Sequence, residues 1–267
     1  MSDGFILVTK SKRSNKKSRK FKNINIERSS SDDFNLDKAI KQLENIKFDL
    51  QTSDYCEKAL IQLEEVINQQ SVKEIICLGI GKISEDIIAK HQLEFISIIK
   101  EKFQIDSIKF YDPVFDQNDK LILDSFNYEV LLENREGKYK VEHPTIFYLP
   151  HCPKQITNNL LYSNWNFEGL KNLILICNSF KSIKEATPER FLRPNAHYLL
   201  EISNYTKESE ILNSFKFTDI FNDFSLHSFP STNLPDQSST FWTKKPEPNY
   251  SLEDLELVTA ECQEQKS

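Results

Sequence analysis

The stretch Ile75-Ile76-Cys77-Leu78-Gly79-Ile80-Gly81 decides the fold. Its short continuous apolar run predicts a strand covered on both faces, as strands of a parallel sheet are. The glycine pair ends that strand. A helical pattern then runs from Ser84 to Phe103, with Ile88, Phe95, Ile99 and Phe103 on its inner face. Strand, tight turn and helix in that order open an α/β unit.

The alternation continues downstream. A strand over Ser107 to Tyr111 stops at Asp112-Pro113, and a helix near Gln117 to Phe126 leads to a strand near Tyr128 to Leu132. Arg135 to Lys140 reads as a hairpin or loop. Thr145 to Leu149 is a further buried strand broken by Pro150, followed by a helix over Lys154 to Asn164 and a strand over Leu173 to Ile176. This order predicts a Rossmann-like α/β fold: a mainly parallel sheet with helices on both faces. Phe217 to Phe221 and Leu226 to Phe229 would supply one or two edge strands.

Upstream, Leu36, Ile40, Leu43, Ile46 and Leu50 form the stripe of an amphipathic helix. Ser53 is a candidate N-cap for a second helix bearing Cys56, Ala59, Leu60, Leu63, Val66 and Ile67. The two predict a helical hairpin in front of the sheet.

Charge divides the chain further. Residues 1–30 hold nine Lys/Arg and two acids, a balance of +7, which leaves −13 for the other 237 residues of a chain whose net charge is −6. We read 1–32 as a disordered basic tail, 33–230 as the α/β domain, and 231–267, rich in Pro, Ser, Gln and acids, as a disordered acidic tail. Lys10 to Lys22 has eight basic residues in thirteen, which suits a nuclear localisation signal, a contact for RNA, tubulin or anionic lipid, or a plain solvated tail. An acidic body and a basic run with a single aromatic, Phe21, argue against sequence-specific nucleic-acid binding. Mean hydropathy is −0.51 and no apolar run approaches the ~20 residues of a membrane span. Phe5 to Val8 is too short for a signal-peptide core, and five cysteines without regular spacing suit a reducing compartment. The expectation is a soluble intracellular protein.

In open α/β sheets ligands bind at the carboxyl ends of the strands. Four predicted strand ends carry polar or permissive residues: Gly79 and Gly81, Asp112, His151 and Cys152, Asn178 and Ser179. These seven form the candidate ligand-binding cleft. Gly79 and Gly81 are two of only five glycines, where average usage of about 7% would give roughly 19. They would let a nucleotide or S-adenosylmethionine approach the backbone, with Asp112 holding ribose hydroxyls. The plain alternative is a tight turn needing small residues. Against a dinucleotide, Ser84 stands where the third glycine would be, and Glu85 and Asp86 in the first helical turn would repel a pyrophosphate. S-adenosylmethionine has no phosphate and escapes that objection.

His151-Cys152-Pro153 opens a helix, where the dipole lowers a thiol pKa. Cys152 is thus a candidate nucleophile or an axial haem ligand, set against a buried thiol beside a hydrogen-bonded histidine. No Cys-x-x-Cys occurs, so no zinc or other metal site is expected. Cys77 and Cys177 read as core. His91, between Ile88 and Phe95, reads as a packed histidine with one internal hydrogen bond. His143 and His227 have no informative neighbours. Glu133 and Glu136 could be an acid/base pair but read more simply as exposed loop acids. Asn158, Asn159, Asn164, Trp165 and Asn166 suggest capping and turn hydrogen bonds before substrate recognition.

The series Leu78-Gly79-Ile80-Gly81, Gln92-Leu93, Tyr111-Asp112-Pro113-Val114-Phe115, Pro150-His151-Cys152, Asn158-Asn159-Leu160-Leu161, Ser163-Asn164-Trp165 and Asn178-Ser179-Phe180 resembles the SRR-like (sensitivity to red light reduced) domain family. The resemblance spans about residues 71–229, with Cys177 where the family usually has Gly. It implies a regulatory role without a defined reaction: circadian clock input and clock-gene expression, regulation of haem biosynthesis, a link to microtubules, and residence in cytoplasm and nucleus. It carries over no catalytic residue. The partner would be an unidentified protein or small ligand. The rival is a Rossmann-like enzyme, methyltransferase-like, that uses S-adenosylmethionine or a nucleotide.

Overall fold

The computed structural model describes residues 34–67, 70–243 and 246–250. The basic tail and residues 251–267 of the acidic tail lie outside the described residues. Helices α1 (Leu36–Gln51) and α2 (Asp54–Ile67) lead into β1 (Glu74–Leu78), α3 (Ile87–Lys102), β2 (Ser107–Tyr111), α4 (Gln117–Ser125) and β3 (Glu129–Val130). Then come β4 (Thr145–Tyr148), α5 (Lys154–Ser163), α6 (Phe167–Lys171), β5 (Leu173–Asn178), α7 (Phe180–Ala186), α8 (Glu189–Asn195), α9 (His197–Ile202), β6 (Lys207–Glu210) and β7 (Phe224–Ser228).

The sheet is ordered β3-β2-β1-β4-β5-β7-β6. Strands β1 to β5 pair in parallel, whereas β7 pairs antiparallel with both β5 and β6. The sheet is therefore mixed. Two expectations about its far side need correction. Leu226 to Phe229 was to be an edge, yet β7 lies inside the sheet and all five of its residues are buried. Phe217 to Phe221 forms no strand: Phe221 instead stacks on Tyr55 at 4.4 Å in the core. The edge is Lys207-Glu208-Ser209-Glu210, whose charges blunt it against further pairing.

Burial explains the apolar runs. On one face, Ile76, Leu78, Phe147, Leu173 and Leu175 pack with Leu160, Leu161 and Leu199 of α5 and α9. On the other, Tyr55 of α2 and Phe95 of α3 meet Phe221, and Phe95 meets Tyr148 of β4. Strand residues alternate between the two layers, so central strands must be apolar at every position. Ser53 caps α2 by accepting from the Cys56 amide at 3.2 Å. α1 lies chiefly along α3 and only lightly against α2. α3 begins at Ile87, three residues later than the periodicity suggests, because Asp86 accepts from the Ile88 amide at 2.8 Å and caps it.

The chain after Ser231 also departs from expectation. Leu234 is buried, the Trp165 indole donates to the Phe241 carbonyl at 3.1 Å, and Trp242 packs edge-on against Trp165. Tyr250 Oη accepts from Asn158 Nδ2 at 2.9 Å, and Lys138 pairs with Glu247 at 2.6 Å. Scattered aromatics anchor a segment whose overall composition is polar. Among the described residues no helix is long and apolar enough to cross a membrane.

Candidate functional site

The first strand end is built around two close approaches. Gly79 has φ +72°, and a Cβ there would sit 2.6 Å from Cys152 Sγ. The backbone does approach something closely, but that something is the thiol, which donates to the Leu78 carbonyl at 3.2 Å. Asp112, at the end of β2, accepts from the Gly81 amide at 2.7 Å and the Val114 amide at 3.0 Å. Burial raises its pKa, and these two hydrogen bonds only partly offset that.

Beside them lies a cavity of about 150 Å³. Its floor is the ends of β1 and β2 at Leu78, Tyr111 and Asp112; Cys152, Pro153 and Ile156 form the wall at the start of α5. The roof is the loop through Glu136, Gly137 and Tyr139. Gly137 has φ +83°, and a Cβ on it would meet the Ile156 carbonyl at 2.5 Å, so the roof rests directly on α5. The amide-rich stretch secures this roof. Asn159 donates to the Glu136 carbonyl at 2.7 Å, and Asn164 donates to the Tyr139 carbonyl at 2.7 Å while accepting from the Val141 amide at 2.9 Å. These asparagines hold backbone, as the capping reading expects.

The seven candidates do not form one cleft. Gly79, Asp112 and Cys152 line the cavity, with Gly81 attached through Asp112. His151 and Asn178 border a separate, shallower depression with Ser182, Ile183 and Asp223, and Cys152 lies between the two. His151 is exposed, with φ +52° and its ring 5.3 Å from Phe224. Ser179 faces neither: its hydroxyl caps α7 through the Ser182 amide at 3.0 Å and donates to Glu208 at 2.5 Å.

Two chemical expectations for Cys152 are overturned. Burial, and next the nearby Asp112 carboxylate, push its pKa up to about 12. Those effects outweigh the helix dipole, so the thiol stays protonated and is no activated nucleophile. A 150 Å³ cavity is too small for a macrocycle, and the Cys152 thiol is turned onto the Leu78 carbonyl. The site does not fit haem. Among the described residues no cluster of three metal-ligating side chains exists.

Sequence reasoning missed a polar chain at the opposite end of the sheet. Cys177 Sγ lies 3.5 Å from His227 Nδ1, and His227 Nε2 lies 3.7 Å from Glu208 Oε1. Glu208 also accepts from the Lys181 amide at 3.2 Å. Burial opposes ionisation of Glu208, but the His227 ring, the Ser179 hydroxyl and the Lys181 amide prevail and hold it down at about 2. The order Cys-His-Glu imitates a catalytic triad. It is not one: burial raises the Cys177 thiol far above its ordinary range, and His227 is fully buried beneath Phe180 at 4.0 Å. The signal that could have found it is alternation, since His227 and Glu208 are register partners across two strands. His91 is packed as expected, with Nδ1 2.7 Å from the Ile87 carbonyl and burial lowering its pKa.

The geometry defines an α/β protein with a small cavity at the carboxyl ends of its parallel strands, adjoining the point between β1 and β4 where strand order reverses. The SRR1 domain profile matches residues 56–228, and the chain belongs to the SRR1 (sensitivity to red light reduced) family. It is 32% identical over 215 residues to an SRR1-like protein of Drosophila melanogaster, covering 79% of this chain and 76% of that one. It is 30% identical over 200 residues to an SRR1-like protein of Mus musculus, covering 62% and 80%. The Arabidopsis thaliana protein SENSITIVITY TO RED LIGHT REDUCED 1 is 29% identical over 126 residues, covering 46% of each.

Proposed function

We propose that this chain is a regulatory protein in which a small ligand bound at the strand-end cavity gates the effect on a partner protein. Its field of action is circadian clock input and clock-gene expression, together with regulation of haem biosynthesis, in cytoplasm and nucleus. The observation that carries this reading is the family match over residues 56–228 with a relative named for its red-light phenotype. Neither Cys152 nor Cys177 is an activated nucleophile, and the described residues hold no group of three metal-ligating side chains. The haem link is then one of regulation, exerted without haem binding at Cys152. Deleting the gene tests the reading. Shifted phase or amplitude of rhythmic transcripts, altered haem content, and rescue by the full chain are expected; unchanged rhythm and haem would overturn it.

A second reading, a methyltransferase-like enzyme using S-adenosylmethionine or a nucleotide, is favoured by the reversed β7 inserted before the last strand. That sheet order is shared with Rossmann-like methyltransferases, an analogy of fold alone. Methyl transfer from labelled S-adenosylmethionine into a cell extract, lost on filling the cavity, would support it. No transfer would leave the cavity a binding site without a reaction.

A further inference from the structure

We propose that the cavity between the ends of β1 and β2 takes a phosphate-free nucleoside. The proposal rests on the reading that this cavity binds a small ligand, and it names the class.

The turn after β1 spends several of its amides within the protein. The Gly79 amide donates to the Tyr111 carbonyl at 3.0 Å, that of Gly81 to Asp112 at 2.7 Å, and that of Ser84 to the buried Asp119 at 2.7 Å. At the start of α3 the Ile88 amide donates to Asp86 at 2.8 Å. A phosphate at this helix end would meet carboxylates where it needs N–H groups. The nearby cation is engaged too: Lys82 pairs with Glu85 at 3.1 Å and Asp116 at 3.3 Å. No lysine or arginine lines the cavity; Asp112 does, as does Glu136, which pairs with Lys138 at 3.3 Å. This lining favours a neutral or cationic donor of hydrogen bonds over phosphate.

The remaining features suit a ring and a diol. Tyr139, Ile156 and Pro113 offer flat or apolar surface, and a cavity near 150 Å³ holds one ring system with the rest of the ligand outside. Each Asp112 oxygen accepts one backbone bond and keeps a second lone pair, which a vicinal diol could meet. Tyr139 lends its ring to the lining, while its Oη is buried away from the open space. The Asn159 and Asn164 contacts hold the roof, so the shape exists before the ligand arrives.

The test is calorimetry and thermal denaturation of the full chain with adenosine, S-adenosylmethionine and ATP. Adenosine or S-adenosylmethionine is expected to bind and raise the Tm, and ATP is not. Binding of adenosine alone would identify a nucleoside sensor, and binding of S-adenosylmethionine would identify the sulfonium nucleoside as the natural class. Asp112→Asn, which turns one acceptor for the diol into a donor, should weaken binding about 5- to 10-fold. Ile156→Trp, which fills the cavity, should abolish it. ATP binding as well as adenosine, or unchanged affinity in Asp112→Asn, overturns the proposal. If neither nucleoside binds but another metabolite raises the Tm and Ile156→Trp removes that rise, the nucleoside class fails and the ligand-gated reading stands. If no metabolite raises the Tm, both fail.

Discussion

The two ends of the sheet treat polar atoms in opposite ways. Where β1 and β2 end, Asp112 lines a cavity with one backbone bond accepted by each carboxylate oxygen. Where β5, β7 and β6 meet, Cys177, His227, Glu208 and Ser179 close on one another inside the protein. Both ends contain residue types that invite a functional reading. The first adjoins space that a ligand can enter; the second is packed shut, and its unbonded His227 Nε2 lies beneath Phe180. Chemical type therefore says less about function than whether the group faces open space.

The sharpest way to break this contrast is Gly79→Ala. A left-handed backbone and contact with Cys152 Sγ should together cost about 3 kcal/mol in urea denaturation. Adding Cys152→Ala should recover the contact and leave about 1 kcal/mol of backbone cost. No recovery would show that Cys152 does not set the approach at this end.

At the braced end, Glu208→Ala should cost about 2 kcal/mol at pH 7, allowing for screening at the sheet edge. Its native pKa of about 2 lies below the ordinary carboxylate value of 4.5. The stabilisation is therefore present above about pH 4.5 and is lost as pH falls toward 2, so the deficit of the variant should shrink over that window. A deficit that does not change with pH would mean the carboxylate charge is not what braces β6 to β7.

Ser179→Ala, which removes the cap of α7 and one partner of Glu208, should cost about 1 kcal/mol without affecting any ligand bound at the cavity. A change in ligand affinity would join the two ends that the structure separates. The smallest effect belongs to Tyr139→Phe, expected within about 0.5 kcal/mol of the parent because the lost hydroxyl has no partner. A loss well above that would reveal a structural bond at Tyr139.

Much of the architecture is legible because central strands must be apolar on both faces: Ile75 to Leu78, Thr145 to Leu149 and Leu173 to Ile176 declare themselves by composition. Lys207 to Glu210 does not, since a charged edge strand exists only through its pairing with β7. The site is half legible. Gly79 and Asp112 stand at predicted strand ends, but Tyr139 reaches the cavity from a loop held by distant residues, Asn159 and Asn164 among them. Cys152 departs from expectation for a related reason. Its helix position is visible in sequence, whereas the burial that pushes its pKa the other way is not.

The placement of β7 has a consequence for the growing chain. β6 is synthesised before β7 but has no neighbour in the sheet until β7 arrives to separate it from β5. At about 5–20 residues per second, the stretch from Glu210 to Phe224 takes roughly a second to emerge. For that interval the nascent domain presents β5 as an open edge with an apolar face, the kind of surface that other chains pair with. A strand made later seals one made earlier, so interruption between them should yield the most aggregation-prone fragments of this protein.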